Sequence, residues 1–325
     1  MFIKRIQQIA RVGLLDLMQQ KKWLHLYPEH DSDFSAIKTD MQFFFHSSFS
    51  KVKRFSAKGF EGGPNVSGQF DNVIVHLPRS KALSRHLIFL ATKFAPNGTV
   101  YVDGANSQGI KSMLKAVNSF LPIVGQVSGS HGRLFWFIAN DIFSSWDATL
   151  NQKIEGGFLT RAGVFSADHI DPASSLLANA LPSELSGVVA DLGAGWGYLS
   201  HQILKNPGLK SIDLVEDDDA ALSCAKLNCN DGRANFYWTD VETWMTTRRY
   251  DHVVMNPPFH IGRKVETDLG KSFIQKASKI IKKKGNLWMV SNRHLPYEAL
   301  LSQLFSNFDE VAGDKRFKVL KASGV

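Results

Sequence analysis

Two stretches about 180 residues apart begin in the same way. Phe70-Asp71-Asn72-Val73-Ile74-Val75-His76-Leu77-Pro78 and Tyr250-Asp251-His252-Val253-Val254-Met255-Asn256-Pro257-Pro258 each run from an aromatic–Asp pair into an apolar segment and stop at proline. A run of that length, apolar on both faces, reads as a buried strand. In the first stretch an amphipathic helix follows (Leu83, Leu87, Leu90, Ala91, Phe94), then a turn at Pro96-Asn97-Gly98 and a strand over 99–103. In the second, the helix carries Phe273, Ile274, Ala277, Ile280 and Ile281, then Lys284-Gly285 and a strand over 286–291. Terminal strands read at 133–139 and 317–322. Any two α/β domains share this alternation, but the matched aromatic–Asp starts favour duplication of one domain. The expectation is therefore two tandem doubly wound α/β domains, 1–150 and 151–325. The join falls within 141–160, where polar, glycine-bearing Asn151–Gly157 reads as a linker. The first 25 residues read as an amphipathic helix on Ile3, Ile6, Ile9, Leu14 and Leu17. Residues 28–70 hold only short strand-like runs.

A length of 325 residues fits two domains. With 44% apolar and 21% charged residues, disordered and fibrous classes are excluded. The net charge is +8, and it is uneven. Residues 1–150 carry 17 Lys/Arg against 10 Asp/Glu; residues 151–325 carry 21 against 20. A basic excess suits a polyanionic partner, and it sits in the first half. Candidate phosphate contacts there are Lys51, Lys53, Arg54, Lys58, Arg79, Lys81 and Arg85; the second half offers Arg248-Arg249, Arg263-Lys264 and Lys282–Lys284. Solvated faces explain such clusters equally well one by one, and Lys282–Lys284 fits a helix C-terminus. Two cysteines, Cys224 and Cys229, make no zinc signature and no disulfide framework. No apolar run reaches membrane-spanning length and no secretory signal is legible, so a reduced cytoplasmic setting is expected.

Strand Val188–Asp191 leads into Gly193-Ala194-Gly195-Trp196-Gly197 and a helix start. Such a corner brings backbone close to a nucleotide. The spacing differs from the pyrophosphate-binding Gly-x-Gly-x-x-Gly, and Asp191 precedes it. The corner therefore suits a cofactor with a cationic amino-acid end better than a phosphate. A packing turn without ligand is the plainer alternative. Glu216 ends the next strand, where an acid can accept from both ribose hydroxyls. Asp240 ends the third and can accept from an adenine amine or cap a helix.

Asn256-Pro257-Pro258-Phe259 ends the fourth strand. Proline cannot donate to a ladder and holds Asn256 extended, so the strand stops in the crevice where α/β sheets bind ligands. The Asn256 amide oxygen and the Pro257 carbonyl can accept from a planar –NH2, and Phe259 can stack on its ring.

Asp191 through Gly197, Glu216, Asp240 and Asn256 through Phe259 together resemble a class I S-adenosylmethionine-dependent methyltransferase acting on an exocyclic or amide nitrogen. The finer resemblance, over 155–322, is to the bacterial ribosomal RNA guanine-N2 methyltransferases of the small-subunit methyltransferase C (RsmC/RlmG-like) type. Its residues are Gly163-Val164-Phe165-Ser166, Asp168, Asp171, His260, Gly262, Asn292, Leu295-Pro296-Tyr297 and Arg316-Phe317-Lys318-Val319. The resemblance implies a seven-stranded sheet with its last strand antiparallel and a degenerate N-terminal copy that docks RNA and binds no cofactor. It also implies contacts from Phe165 and Asp171 to the methionine end of S-adenosylmethionine. The implied reaction is methylation of a guanine N2 in ribosomal RNA, 16S rather than 23S, with the base flipped into the pocket, no dedicated base and no metal. The partner is ribosomal RNA or a ribosomal subunit; the protein acts as a monomer. Asn-Pro-Pro-aromatic loops also serve adenine N6 and protein glutamine, which are the alternative substrates. A nicotinamide dehydrogenase would leave the elbow without a purpose. A non-catalytic RNA-binding protein would leave both motifs so.

Overall fold

A computed structural model of the chain describes residues 2–11, 21–29, 32–37, 39, 41–258 and 263–325. It divides into two units, Met1–Leu150 and Asn151–Val325. The first contains α1 (Phe2–Arg11), β1 (Trp23–Leu26), β2 (Gln42–Phe45), α2 (Phe49–Ala57), β3 (Glu61–Gly63), β4 (Asn72–His76), α3 (Lys81–Phe94), β5 (Thr99–Ala105), α4 (Ile110–Asn118), β6 (Gly125–Gly129) and β7 (Gly132–Ile138). The second contains β8 (Gln152–Lys153), β9 (Leu159–Thr160), α5 (Pro172–Ala180), β10 (Gly187–Leu192), α6 (Tyr198–Leu204), β11 (Leu209–Glu216), α7 (Asp219–Asn228), β12 (Ala234–Trp238), β13 (Tyr250–Met255), α8 (Arg263–Ile280), β14 (Ile281–Asn292), α9 (Glu298–Leu304), β15 (Asn307–Gly313) and β16 (Phe317–Ser323).

Each unit forms a seven-stranded sheet, ordered β3-β2-β1-β4-β5-β7-β6 and β12-β11-β10-β13-β14-β16-β15. The permutation is the same in both. So is the pairing: the first five strands run parallel, and the seventh is antiparallel to both its neighbours. Every residue of β4 is buried, and Val253, Val254 and Met255 of β13 have no exposed surface. Helices cover both faces of such strands, which is why they read as unbroken apolar runs. In both sheets the strand order reverses beside the first strand, which places a crevice at the carboxyl ends of that strand and the fourth.

Several expectations are corrected. Residues 23–26 continue no helix. All four are buried in β1, which pairs in parallel with β2 on one side and β4 on the other. Among the described residues helix α1 spans Phe2–Arg11, with Ile6 and Ile9 fully buried; Leu14 and Leu17 lie outside the described residues. Arg5 is also buried and forks onto Asp103 of β5 (Nε–Oδ1 2.6 Å, Nη2–Oδ2 2.8 Å). Asn151–Gly157 is no free linker: β8 pairs antiparallel with β9. Helix α8 stops at Ile280, and Lys282–Lys284 open β14, where Lys282 pairs with Asp251 at 2.8 Å. Strands β6 and β15 carry no apolar run to mark them in the sequence: β6 alternates between half-buried and exposed positions, and β15 is mostly exposed. Among the described residues no helix is long and apolar enough to cross a membrane.

Candidate active site

The glycine turn follows β10. Gly193, Gly195 and Gly197 all have left-handed backbone, with φ of +73°, +57° and +90°. They do different work. A Cβ on Gly197 would stand 2.8 Å from Cys229 Sγ, so that glycine lets the turn pack on α7. A Cβ on Gly195 would meet nothing within 4 Å, so its bare face looks into open space. Glu216 supports the turn from β11. Its carboxylate accepts from Gly195 N at 2.7 Å and Asp218 N at 2.8 Å, and burial raises its pKa to about 7.

Asp191 stands behind this turn and does not line the crevice. It has no exposed surface; Oδ2 accepts from Ser200 Oγ at 2.6 Å, and Oδ1 has no partner among the described residues. Burial raises its carboxyl to about 6, against the opposing pull of the Ser200 bonds. Asp240 caps the turn that follows it, accepting from Glu242 N (3.1 Å) and Thr243 N (3.2 Å).

Asn256 follows β13 and lines the same crevice as Gly193, Gly195, Phe165, Asp171 and Ser174. Pro257 is buried and Pro258 exposed. Phe259, His260 and Gly262 lie outside the described residues, as do the side chains of Arg263 and Lys264. The Asn256 Nδ2 donates to Asp171 Oδ2 (2.9 Å) and Ser174 Oγ (2.8 Å). Its Oδ1 is buried with no partner among the described residues. The ring of Phe165 is 48% exposed, and its carbonyl accepts from Trp196 Nε1 at 3.0 Å.

Sequence reasoning missed Ser174 and Asn228. The signal for Ser174 was an N-cap: Asp171 precedes Pro172, and its carboxylate accepts from Ser174 N at 2.8 Å. Asn228 gave none. It closes α7 and donates to both Leu159 O and Trp196 O at 2.8 Å, tying β9 to the glycine turn.

Of the basic candidates, Lys53, Arg54 and Arg79 are exposed and form no ion pair among the described residues; Lys51 pairs with Glu29. Arg248 is committed to the buried Asp213, which also accepts from Tyr250 Oη at 2.6 Å. Among the described residues no cluster of His, Cys, Asp or Glu could hold a metal ion. Cys224 and Cys229 are buried thiols.

The chain matches two family models. One, "Methyltransferase small domain", covers residues 155–321; the other, "Methyltransferase small domain N-terminal", covers residues 14–148. A protein of Shewanella amazonensis named ribosomal RNA small subunit methyltransferase C is 30% identical over 97% of this chain and 95% of its own. The protein of that name from Shewanella sediminis is 33% identical over 77% of this chain and 76% of its own. A solved structure of a T. thermophilus 16S rRNA N2-guanine methyltransferase, with AdoMet and guanosine, superposes with a TM-score of 0.82 at 24% identity, covering 99% of this chain and 91% of that one.

Proposed function

The chain belongs to the ribosomal RNA small subunit methyltransferase C family, and from that premise we propose that it methylates the N2 amine of a guanine in small-subunit ribosomal RNA, using S-adenosylmethionine. One observation carries the reading at the site: a buried amide oxygen, Asn256 Oδ1, without a partner among the described residues, in the crevice onto which the bare face of Gly195 opens. Leaving such an acceptor unmet is costly unless a ligand meets it.

The crevice fits the cofactor. Gly195 leaves room for it, the exposed Phe165 ring offers an apolar wall, and Glu216 has lone pairs left for ribose hydroxyls after its two backbone donors. Asp171 keeps Oδ1 for the methionine end. Asp191 acts from behind the turn through its negative charge, not by contact. When bound, S-adenosylmethionine supplies a methyl carbon already activated by a sulfonium. The residues of the chain then have to aim the amine. Asn256 Oδ1 and the Pro257 carbonyl accept its two hydrogens and draw the nitrogen out of conjugation with the ring, while Phe259 stacks on the base. Orientation supplies much of the rate, and no general base is needed before transfer.

In the N-terminal unit we place the docking of RNA, with Lys53, Arg54 and Arg79 on phosphates. Its crevice takes no cofactor. The protein works as a monomer in the cytoplasm. Mass mapping of small-subunit RNA, with and without the protein, tests the activity. One added N2-methylguanosine is expected; methyl transfer to adenosine or to protein glutamine would replace this reading with one of its alternatives. Calorimetry adds the cofactor: S-adenosylhomocysteine binds and NADH does not.

A further inference from the structure

We infer that Ser174, together with Asp171, is a positioning residue that locks the Asn256 amide with its oxygen facing the target amine. The inference deepens the proposed reaction and rests on it. A side-chain amide has two donors and one acceptor atom, and its two ends are almost the same shape, so packing alone does not choose between them. Here the choice is made electrically. A carboxylate only accepts, and Asp171 Oδ2 lies 2.9 Å from Asn256 Nδ2. Rotating the amide by half a turn would set oxygen against oxygen. Ser174 takes the second Nδ2 hydrogen at 2.8 Å, so both donors are spent and only Oδ1 is left to face the crevice.

The support is rigid. Asp171 is the N-cap of α5, Pro172 occupies the first turn, and the Asp171 carboxylate also receives Ser174 N at 2.8 Å. One carboxylate thus fixes both the start of the helix and, with the hydroxyl presented by that helix, the amide just after β13. Ser174 alone cannot choose the orientation, since a hydroxyl can donate or accept; with Asp171 in place it must accept. Without Ser174 the amide keeps one anchor and can swing about it.

The test is a double-mutant cycle in the full chain. It uses Ser174→Ala and Asn256→Ala, with Ser174→Thr as the conservative rescue. Methyl transfer to unmodified small ribosomal subunits gives kcat and KM; calorimetry gives the S-adenosylhomocysteine Kd; thermal unfolding checks the fold. Ser174→Ala is expected to lower kcat roughly tenfold with Kd changed less than about twofold, the loss of one anchoring hydrogen bond to a reacting group. Ser174→Thr should recover most of it. In the Asn256→Ala background Ser174→Ala should cost nothing further, because its effect passes through the amide. A fully active Ser174→Ala beside an inactive Asn256→Ala overturns the positioning role and leaves the proposed reaction standing. So does a Ser174→Ala loss that multiplies with that of Asn256→Ala. An Asn256→Ala protein that keeps its activity overturns the reaction assignment itself.

Discussion

Laid over one another by strand register, the two sheets differ where a cofactor would enter. His25 of β1 pairs with Ile74 as Asp191 of β10 pairs with Val254, so His25 stands where the second copy has its acid. By the same register Tyr27 replaces Gly193, His46 replaces Glu216 and His76 replaces Asn256. Tyr27 keeps the left-handed backbone, with φ of +56°, which costs a residue with a Cβ about 1–2 kcal/mol. Its ring stacks on His46 at 4.4 Å and its hydroxyl bonds Ser47 at 2.7 Å, holding it there. Bulky rings thus stand where the second copy has its glycine turn and its acid. The Gln42 amide donates to Ile37 O and Thr39 O, which leaves its oxygen to accept from His25 Nε2 (3.2 Å). His25 Nδ1 then accepts from His76 Nε2, also at 3.2 Å. Burial depresses all three imidazoles, His25 and His46 to about 3. At these matched positions the second copy has acids whose carboxyls are pushed up, and the first has imidazoles pushed down. The side chains at these positions differ between the copies while the sheet order is the same.

The largest expected contrast is between the two strand ends. Asn256→Ala should lower methyl transfer by about 100-fold or more, the scale for removing a group that polarises the reacting atom. His76→Asn, at the matching position, should leave kcat per folded molecule unchanged. If His76→Asn proved equally damaging in stopped assays, the division of labour between the copies would be wrong.

Cofactor binding should divide in the same way. Gly195→Val puts a side chain into the crevice at a left-handed φ, and should weaken S-adenosylhomocysteine binding by at least about tenfold. Tyr27→Gly opens no second site, so calorimetry should still count one ligand per chain; two would erase the distinction.

Acid should act on the two units by different routes. A buried neutral histidine binds its proton only once unfolded in the window between pH 6.5 and about 3. The unfolded state there holds more protons, so stability falls as pH falls, by at most roughly 1.4 kcal/mol per pH unit for each histidine. Protection of the β1, β2 and β4 amides from hydrogen exchange, taken relative to the intrinsic rate at each pH, should fall accordingly. In the second unit, ribose hydroxyls favour ionised Glu216, whose carboxyl titrates at about 7. Affinity for S-adenosylhomocysteine should be level above that pH and decline below it, no faster than about tenfold per unit. A flat affinity profile from pH 5.5 to 8 would remove Glu216 from the ribose.

The smallest effect belongs to the surface. The double variant K53A/R54A should weaken RNA binding across sequences and reduce the salt slope by about two. An unchanged slope would move docking elsewhere.

How much of this was legible follows from which features are local. The Asn256 elbow and the glycine turn announce themselves because proline and glycine restrict backbone in known ways at single positions. The duplication was visible in β4 and β13, which are buried on both faces. β1 was misread because four residues are too few to show a period, and a helical pattern upstream ran into them. β3, β6 and β15 pair at or beside sheet edges and carry no apolar run to find. The hairpin of β8 and β9 looked like a linker because its residues are polar and two are glycine. That Asp191 stands behind the turn is visible only in the fold. Ser174 and Asn228 act through partners 82 and 69 residues away, and no local pattern records such a partner.

The most direct test is nucleoside mass analysis of small-subunit RNA incubated with S-adenosylmethionine and either the unaltered protein or Asn256→Ala. A single N2-methylguanosine per RNA is expected from the first, and in the same time a yield lower by about 100-fold or more from the second. Methyl groups on another base, or an undiminished N2-methylguanosine signal from Asn256→Ala, would contradict this account.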